Sequence, residues 1–385
     1  MRKTINIGDL GTIITGKTPP TTNKSYYGDY AVFIKPTDIS EQSKYTYETE
    51  EMYSKLAAEK YESSLIPKGA ICVPCIGTIG TKMTMAPCDC YTNQSINSII
   101  CNENYDNEYV YYLIKNFLPG LKAYNLGTAS GREYVSKSNF EKIELVAEQD
   151  KEIQKKIGVI LSRYDSLIEN YQKQIKLLEE AAQRLYKEWF VDFRFPGHEN
   201  TKIVDGVPEG WEKMPVDSIY SIKYGKNLST KLITPTGKYP VYGANGVIGY
   251  YDVANCNNQV VLITSRGNGS GDVLMTYHKD AFITNNSFVV SPLDDYSYCQ
   301  LPFTYQFLKN ANFRAVRTGA AQPQLTNQSI HTVDVVLPSK DIIIEYCDIV
   351  SYCNKKIVIL KNQIRLLTEA RDRLLPKLMS GEIEV

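Results

Sequence analysis

The 385-residue sequence predicts an α+β protein in which two mixed α/β globular domains alternate with two long helices, and the helices pack as an antiparallel coiled coil. Three observations support this prediction: the length of the chain, an internal repeat, and two apolar seams with helical spacing. A chain of this length is about twice the usual size of one domain. It should therefore build more than one hydrophobic core.

The repeat is clearest in segments 174–185 (QIKLLEEAAQRL) and 363–374 (QIRLLTEARDRL), which are identical at 8 of 12 positions. Segments 7–17 and 216–226 keep their apolar positions, and both end in Gly-Lys. This self-similarity predicts a tandem duplication of one unit, a domain of about 145 residues followed by a helix of about 40. The expected pieces are a first domain at 1–147, a first helix at 148–195, a second domain at 196–338 and a second helix at 339–385.

Both helices are predicted from apolar residues that recur at spacings of three and four, the seam of a coiled coil. In the first helix these residues are Ile157, Ile160, Tyr164, Leu167, Tyr171, Ile175, Leu178, Ala182, Leu185 and Trp189. In the second helix they are Ile342, Tyr346, Ile349, Cys353, Ile357, Leu360, Ile364, Leu367, Leu374 and Leu378. A compact second domain should return the chain close to the end of the first helix, so the helices should be antiparallel. Each would span about 60 Å and hold one domain at each end of a rod.

Inside the two domains, short apolar runs broken by Gly, Pro and Asn predict short strands and turns. The runs are 31–34, 70–73, 97–101, 259–264, 287–291 and 333–337. Each domain should also hold one helix, at 108–117 and at 301–308. Gly-rich loops at 77–80, 242–246 and 265–271 can approach a partner backbone closely, because glycine has no side chain.

The composition excludes several classes of protein. Lys and Arg number 43, as do Asp and Glu, so binding of a polyanion by bulk charge is not expected. No apolar run is long enough for a membrane span, and the N-terminus turns polar too early for a signal peptide, which predicts a soluble protein that is not exported. Nine irregularly spaced cysteines fit reduced cytosolic thiols. With 3 His against 29 Tyr, few imidazole-based catalytic centres are available.

A phosphate-binding loop is suggested by segment 11–18 (GTIITGKT), but such a loop must open a helix. Pro19 and Pro20 follow at once and remove amide donors, so we expect no nucleotide site there. No Gly-x-Ser-x-Gly elbow, His-rich metal pattern or methyltransferase motif occurs in the sequence. The chain is therefore not expected to be an enzyme acting alone.

A structural zinc site is suggested by Cys72, Cys75, Cys88 and Cys90, which have roughly the spacing of zinc ligands. The first two fall in and just after an apolar run, where a buried thiol is the common role. Zinc ligands and ordinary core cysteines both stay open as interpretations.

Two similar domains on a long rod suit a ligand that is long and nearly two-fold symmetric, and duplex DNA has both properties. Sequence would be read by side chains that reach base edges, whereas contacts with phosphate would only position the protein. The second domain offers Arg266 in a Gly-rich loop, with Asn245, Gln322 and Gln324 in similar segments. Guanidinium and amide groups are those that pair with guanine and adenine.

Four segments also carry a resemblance to a known family. They are Leu185–Phe193 (LYKEWFVDF), Val207–Trp211 (VPEGW), Tyr239–Gly246 (YPVYGANG) and Leu374–Ile383 (LLPKLMSGEI). Together, and in the order domain, helix, domain, helix, they resemble the specificity subunit of Type I restriction-modification systems. The resemblance covers essentially the whole chain, and the combination is specific although no single motif is.

The resemblance implies that both globular domains are target recognition domains, each reading one half of a bipartite site in double-stranded DNA. The two helices would dock two modification subunits, which hold S-adenosylmethionine and methylate adenine N6 after flipping the base. Two restriction subunits, where the system has them, would bring ATP and Mg. This chain would hold no cofactor, catalyse nothing and work in the cytoplasm without a membrane. The alternatives are a methylation-only system and a coiled-coil scaffold whose domains bind proteins or glycans.

The candidate site residues follow from these arguments. The residues expected to contact DNA are Gly16, Lys17, Thr18, Gly77, Thr78, Gly80, Lys82, Arg132, Lys226, Asn227, Tyr242, Asn245, Arg266, Asn268, Arg317, Gln322 and Gln324. The residues expected to contact a partner subunit are Trp189, Phe190, Phe193, Leu374 and Leu378. For Trp189 and Phe190, a place in the helical seam is the alternative to a partner contact.

Overall fold

The computed structural model describes residues 2–77, 79–127, 133–319 and 322–385. The chain divides into two compact units. Unit 1 consists of the residues up to Tyr171 together with Gln363–Val385, and unit 2 is Gln172–Asn362. Each unit therefore contains one globular domain with part of each long helix.

Unit 1 is built from short strands around a four-stranded sheet. Its strands are β1 (Arg2–Asn6), β2 (Gly11–Thr15), β3 (Tyr27–Gly28), β4 (Ala31–Ile34), β5 (Met52–Tyr53), β6 (Ile71–Pro74), β7 (Thr84–Met85), β8 (Tyr91–Thr92), β9 (Ile96–Cys101) and β10 (Glu144–Glu148). Its helices are α1 (Lys55–Lys60), α2 (Asn107–Phe117), α3 (Lys137–Glu141) and the first part of α4 (Lys151–Tyr186). The central sheet has the antiparallel order β2-β9-β6-β7, β1 pairs with β10, and a second sheet has the order β3-β5-β4-β8 with β4 and β8 parallel.

Unit 2 repeats this plan. Its strands are β11 (Ile203–Val204), β12 (Val207–Pro208), β13 (Glu212–Pro215), β14 (Tyr220–Tyr224), β15 (Tyr239–Gly243), β16 (Gly246–Tyr251), β17 (Val261–Thr264), β18 (Val273–Met275), β19 (Phe282–Ile283), β20 (Ser287–Pro292) and β21 (Asp334–Leu337). Its helices are the last part of α4, α5 (Leu301–Asn310), α6 (Asn327–His331) and the first part of α7 (Lys340–Ser380), whereas the last part of α7 belongs to unit 1. The sheet β14-β20-β17-β18, the pair β13-β21 and the parallel pair β15-β19 match the sheet, the pair β1-β10 and the parallel pair β4-β8 of unit 1. The predicted duplication is confirmed at the level of strand order.

The short elements form where the local sequence predicts them. All four residues of β6 are buried, as expected for a central strand without polar alternation. Helix α2 begins at a cap in which the Asp106 side chain accepts a hydrogen bond from the Tyr109 amide. Helices α3 and α6 have similar caps from Ser136 and Thr326. The apolar runs and the two domain helices proposed from sequence are thus confirmed to within two residues at each end.

The long helices pair in opposite directions within each unit. In unit 1, Ile157 and Leu161 near the start of α4 share a core with Leu375 and Leu378 near the end of α7. In unit 2, residues near the end of α4 share a core with residues near the start of α7, among them Ala182, Tyr186, Ile343 and Tyr346. Both pairings are antiparallel, as the sequence predicts.

The predicted seam is wrong at two positions. Leu167 and Ile349 are exposed, and the next residues, Ile168 and Val350, are buried in their place. A straight α-helix turns once in about 3.6 residues, so a strict pattern of threes and fours drifts off the contact line. The predicted seam also skips one turn between Leu367 and Leu374, and the structure fills that turn with Arg371, which is buried.

Within the described ranges, no helix is both long enough and apolar enough to cross a membrane.

Candidate nucleic-acid interface

One loop of unit 2 brings together several of the residues proposed from sequence. The loop 265–271 follows β17 and lies against segment 322–325. The Ser265 amide donates to the Asn286 carbonyl at 2.8 Å, and the Gly267 amide donates to the Pro323 carbonyl at 2.9 Å. The Leu325 amide donates back to the Ser265 carbonyl at 2.8 Å.

These bonds place Arg266 directly opposite Gln324 in an isolated antiparallel bridge. Their neighbours Ser265 and Leu325 are fully buried. Successive residues of an extended chain point to opposite sides, so the side chains of Arg266 and Gln324 point away from the core. Both residues are exposed, and they offer a guanidinium and a primary amide side by side.

Other polar residues surround this pair. Arg317 donates from Nη1 to the Asn268 carbonyl at 3.4 Å and from Nε to the Arg314 carbonyl at 3.0 Å, which ties segment 314–317 to the loop. The Oδ1 of Asn245 lies 3.1 Å from where a β-carbon on Gly269 would stand. Asn245, Asn268 and Gln322 are exposed. The structure therefore gathers Asn245, Arg266, Asn268, Arg317, Gln322 and Gln324 around one loop, and we call these six residues the polar cluster.

Arg314, by contrast, is committed to another role. Its Nε and Nη2 atoms both donate to Oδ1 of Asp272, at 2.9 and 2.5 Å. This ion pair joins the far end of the loop to the segment after α5. Its positive charge is largely balanced, so Arg314 positions the loop.

Lys226 and Asn227 lie at the edge of the same loop, and both are exposed. The Asn285 amide donates to the Lys226 carbonyl at 3.0 Å, and the Ser265 hydroxyl donates to the Asn285 carbonyl at 3.1 Å. The residue before them is glycine, Gly225, because a β-carbon there would lie 2.3 Å from the Thr284 carbonyl oxygen. The repeated Gly-Lys pair thus has a steric reason for its glycine and leaves the lysine free to point outward.

Sequence reasoning missed Tyr224, which stands beside Lys226 at the end of β14. Its hydroxyl donates to the Leu325 carbonyl at 3.2 Å, and its ring centroid lies 4.1 Å from that of Phe288. The ring is nevertheless exposed on one side. The abundance of tyrosine was a signal for such a residue, but it did not point to this position.

Tyr242 is not part of the surface, which corrects its assignment to DNA contact. The residue is buried, and its hydroxyl contacts Nδ1 of His278 at 2.9 Å and accepts a hydrogen bond from the Tyr277 amide at 3.2 Å. Burial raises the pKa of Tyr242 above its usual value. The residue is a core tyrosine whose polar end is satisfied inside unit 2.

Unit 1 carries the corresponding Gly-Lys pair at Gly16 and Lys17. Gly16 is buried, and a β-carbon there would lie 2.1 Å from the Thr92 carbonyl oxygen. The Lys17 carbonyl accepts a hydrogen bond from the Tyr53 hydroxyl at 2.5 Å, and the Lys17 Nζ lies 3.5 Å from the Ser63 hydroxyl. Thr18 is exposed and donates to the Gln94 side chain. The prediction that this segment is not a phosphate-binding loop agrees with the structure, where strand β2 precedes Gly16 and the next helical turn starts only at Lys24.

The remaining unit 1 candidates are spread over neighbouring loops. Gly77 has a φ of 91°, and its amide donates to the Glu133 carbonyl at 2.9 Å. Gly80 is buried against Leu118 and Lys122, so it is a packing residue, and Lys82 is partly exposed. Thr78 and Arg132 lie outside the described residues.

The four cysteines do not form a metal site. Cys72 and Cys90 belong to one core of unit 1, whereas Cys75 belongs to another and Cys88 is exposed. Burial raises the pKa of both Cys72 and Cys75 to about 12. Among the described residues, no group of three or more potential metal ligands comes together. The zinc interpretation is wrong for the described residues, because Cys72 and Cys75 lie three residues apart in an extended segment and so face opposite sides of the sheet.

Three of the five residues proposed for a partner contact are core residues. Trp189 and Phe190 pack in unit 2 with Tyr346, and Leu378 is buried in unit 1. The partner assignment is corrected for these three, because their apolar surface is already covered by the chain itself. Phe193, with a φ of 57° just after the helical turn Lys187–Val191 that follows α4, and Leu374 are partly buried.

Comparison with known proteins connects this arrangement to a family. The family described as "Type I restriction modification DNA specificity domain" matches residues 2–180 and 208–369, one match for each copy of the repeat. The Type I restriction enzyme MjaIX specificity subunit of Methanocaldococcus jannaschii is 26% identical over 407 residues, which span 98% of this chain and 93% of that protein. The Type I restriction enzyme HindI specificity subunit of Haemophilus influenzae is 38% identical over 165 residues, 41% of this chain and 35% of that protein.

A crystal structure of a Type I restriction-modification S subunit from M. genitalium shares the fold, with a TM-score of 0.59 and 18% identity over 98% of this chain and 96% of that one. The family match covers most of the sequence and both copies of the repeat. The family match does not favour the alternative of a protein- or glycan-binding scaffold. The chain belongs to the Type I restriction modification DNA specificity domain family and is a specificity subunit, a non-catalytic DNA-recognition component with two recognition domains.

Proposed function

We propose that the chain reads a bipartite DNA target, one half with each domain, and directs adenine N6 methylation by partner subunits. Where a restriction subunit is present, the same reading directs cleavage. The observation that carries this proposal is the polar cluster around Arg266 and Gln324. The long helices would set the spacer between the half-sites.

The polar cluster has the chemistry for reading base edges in the major groove. A guanidinium can donate two hydrogen bonds to guanine O6 and N7, and a primary amide can pair with adenine N6 and N7. Lys226 stands at the edge of the cluster, where an ammonium group suits a phosphate. This division supports base reading by Arg266 and Gln324 and positioning by Lys226.

The overall charge sets a limit on how tightly the chain binds DNA alone. Equal numbers of basic and acidic residues leave little general attraction for phosphate. The basic groups must act locally, and partner subunits would supply further phosphate contacts. We therefore expect the isolated chain to bind nonspecific DNA weakly at physiological salt.

Two exposed leucines support a pair of docking positions for modification subunits. Leu177 and Leu366 occupy the same place in the repeated segments 174–185 and 363–374. Their side chains are 64% and 50% exposed. An apolar residue that is exposed to solvent at the same place in both copies fits two equivalent contacts with the same kind of partner, one in each unit. The S-adenosylmethionine would be held by these partners, ATP and Mg by restriction subunits, and the assembly would work in the cytoplasm, where its DNA is.

The test of base reading is methylome sequencing of a host that expresses the chain with its modification subunit. The wild type should methylate one bipartite sequence. Arg266→Ala should relax the preference at one position of one half-site, by about 1–3 kcal/mol. Lys226→Ala is the control for phosphate contact and should weaken binding of all sequences about equally. It should lower by about 1 the slope of log affinity against log salt concentration. A uniform loss with Arg266→Ala would assign that residue to phosphate instead.

The partner proposal is tested by co-purification. Leu177→Asp and Leu366→Asp should each remove one modification subunit from the complex, and the double variant should remove both. Leu56→Asp changes an exposed leucine of the first domain and serves as the control. Full stoichiometry in the double variant would contradict the docking positions.

A further inference from the structure

The first domain has a loop with the same backbone bonding as the loop that carries Arg266. The Cys75 amide donates to the Ser95 carbonyl at 2.7 Å, and the Gly77 amide donates to the Glu133 carbonyl at 2.9 Å. The Val135 amide donates back to the Cys75 carbonyl at 2.8 Å. These bonds correspond one by one to those of Ser265, Gly267 and Leu325. Gly77 and Gly267 also share a positive φ, 91° and 84°.

The correspondence identifies the two residues of the first domain that are equivalent to Arg266 and Gln324. Ile76 lies opposite Tyr134 in an isolated antiparallel bridge, as Arg266 lies opposite Gln324. Their neighbours Cys75 and Val135 are buried. By the alternation of an extended chain, Ile76 and Tyr134 point away from that core, and both are partly exposed.

The two pairs differ in chemistry. The side chains of Arg266 and Gln324 are polar, whereas the side chain of Ile76 has no hydrogen-bonding group and can contribute only apolar contact. In the major groove, the apolar feature of the base edges is the C5 methyl group of thymine. Tyr134 adds an aromatic face and a hydroxyl group next to it.

The acidic residue beside this pair is held by the loop itself. Oε2 of Glu133 accepts a hydrogen bond from the Ile79 amide at 3.2 Å. The carboxylate thus braces the loop from inside. The part of the bridge that remains available to a ligand is formed by Ile76 and Tyr134.

We propose that Ile76, supported by Tyr134, is a specificity-determining residue of the first domain and reads a thymine at the position where Arg266 of the second domain reads a guanine. This inference rests on the proposed function, since it assumes that both domains read DNA. It goes further by naming the residues and the base in the first half-site, and it makes the two domains variants of one reading device.

The experiment is a reciprocal exchange in the full chain, expressed with its modification subunit and followed by methylome sequencing. Ile76→Arg should change one thymine of one half-site to guanine, with a preference of about tenfold or more. Arg266→Ile should change one guanine of the other half-site toward thymine by a similar factor. Each exchange should leave the opposite half-site unchanged. Leu56→Arg adds the same charge to an exposed leucine of the first domain and should leave both half-sites unchanged.

A second variant covers the case in which Ile76→Arg does not fold. Ile76→Ala removes most of the apolar contact without adding a charge, and it should relax the same thymine by several-fold. An unchanged half-site with either folded variant overturns the inference while the wild-type methylome still supports DNA reading. A wild-type chain that recognises no sequence defeats the proposed function itself.

Discussion

The ion pair between Asp165 and Arg371 provides the most direct test of how the helices hold unit 1 together. Arg371 Nη1 donates to Asp165 Oδ1, and the two side chains are only 7% and 6% exposed. The Tyr112 hydroxyl donates to the other carboxylate oxygen at 2.5 Å, and Arg371 Nε donates to Asp372 at 2.9 Å. The substitution to make is Arg371→Met, which keeps an unbranched side chain and removes the charge.

The expected loss follows from the burial of the remaining carboxylate. Removing one partner of a buried ion pair costs about 3–5 kcal/mol, because the other charge stays away from water without its opposite charge. Each kcal/mol lowers Tm by about 2–4 °C in a unit of this size. The Arg371→Met variant should therefore lower the Tm of unit 1 by about 6–20 °C, measured by differential scanning calorimetry.

Two features of the chain make the measurement specific. Both tryptophans, Trp189 and Trp211, belong to unit 2, so tryptophan fluorescence follows that unit while calorimetry records both. Arg365 forms an exposed pair with Glu369 one turn away on the same helix in unit 1. Arg365→Met is the matched control and should cost less than Arg371→Met, because its pair with Glu369 is exposed. The fluorescence transition should move less than the calorimetric transition of unit 1 in the Arg371→Met variant.

A double variant separates the loss of a charge from the loss of packing. Asp165→Leu together with Arg371→Met leaves neither charge buried and should recover part of the lost stability. The Tyr112 hydroxyl then lacks its acceptor, which leaves a deficit of about 1–3 kcal/mol. The reasoning is refuted when Arg371→Met lowers the Tm of unit 1 by no more than Arg365→Met does.

Three other predictions follow from local features. Gly225→Ala should destabilise unit 2 by about 3 kcal/mol or more, since its β-carbon would lie 2.3 Å from a carbonyl oxygen. Gly246→Ala, with a φ of 105° in open space, should cost about 1–2 kcal/mol. Urea unfolding followed by tryptophan fluorescence distinguishes the two variants, and equal losses of stability would contradict the steric argument. Because burial raises the pKa of Cys72 and Cys75 to about 12, iodoacetamide at pH 8 should alkylate exposed Cys88 well before either of them. Equal rates of alkylation, measured by mass mapping, would show that Cys72 and Cys75 are not buried. Insertion of one heptad into α4 should lengthen the recognised spacer or abolish methylation without altering either half-site, and an unaltered spacer in the methylome would exclude the helices as its determinant.

Much of the fold was predictable because its signals are local. Strands such as β4 and β20, and helices α2 and α5, follow from apolar runs between turn residues, and the long helices follow from spacings of three and four. The duplication was visible because segments 174–185 and 363–374 kept their residues. The Gly-rich loop with Arg266 was recognisable for the same reason, since its pattern lies within seven residues.

The errors have a common cause, which is that burial depends on neighbours distant in sequence. Trp189 and Phe190 were expected at a partner surface, but the core of unit 2 covers them with Tyr346. The seam prediction passed over Arg371, because a charged residue is not expected inside a coiled coil without its partner. That partner, Asp165, is 206 residues away.

By itself, the sequence determined the order of the pieces, the repeat, the local elements and the family to which the chain belongs. Tertiary structure alone decided which residues of the two domains are equivalent. Ile76 and Arg266 share no chemical property that an alignment could use, and Tyr134 and Gln324 likewise differ. Their equivalence lies in backbone hydrogen bonds, which every residue except proline can donate regardless of its side chain. Side chains at this bridge could therefore diverge while the backbone frame stayed the same.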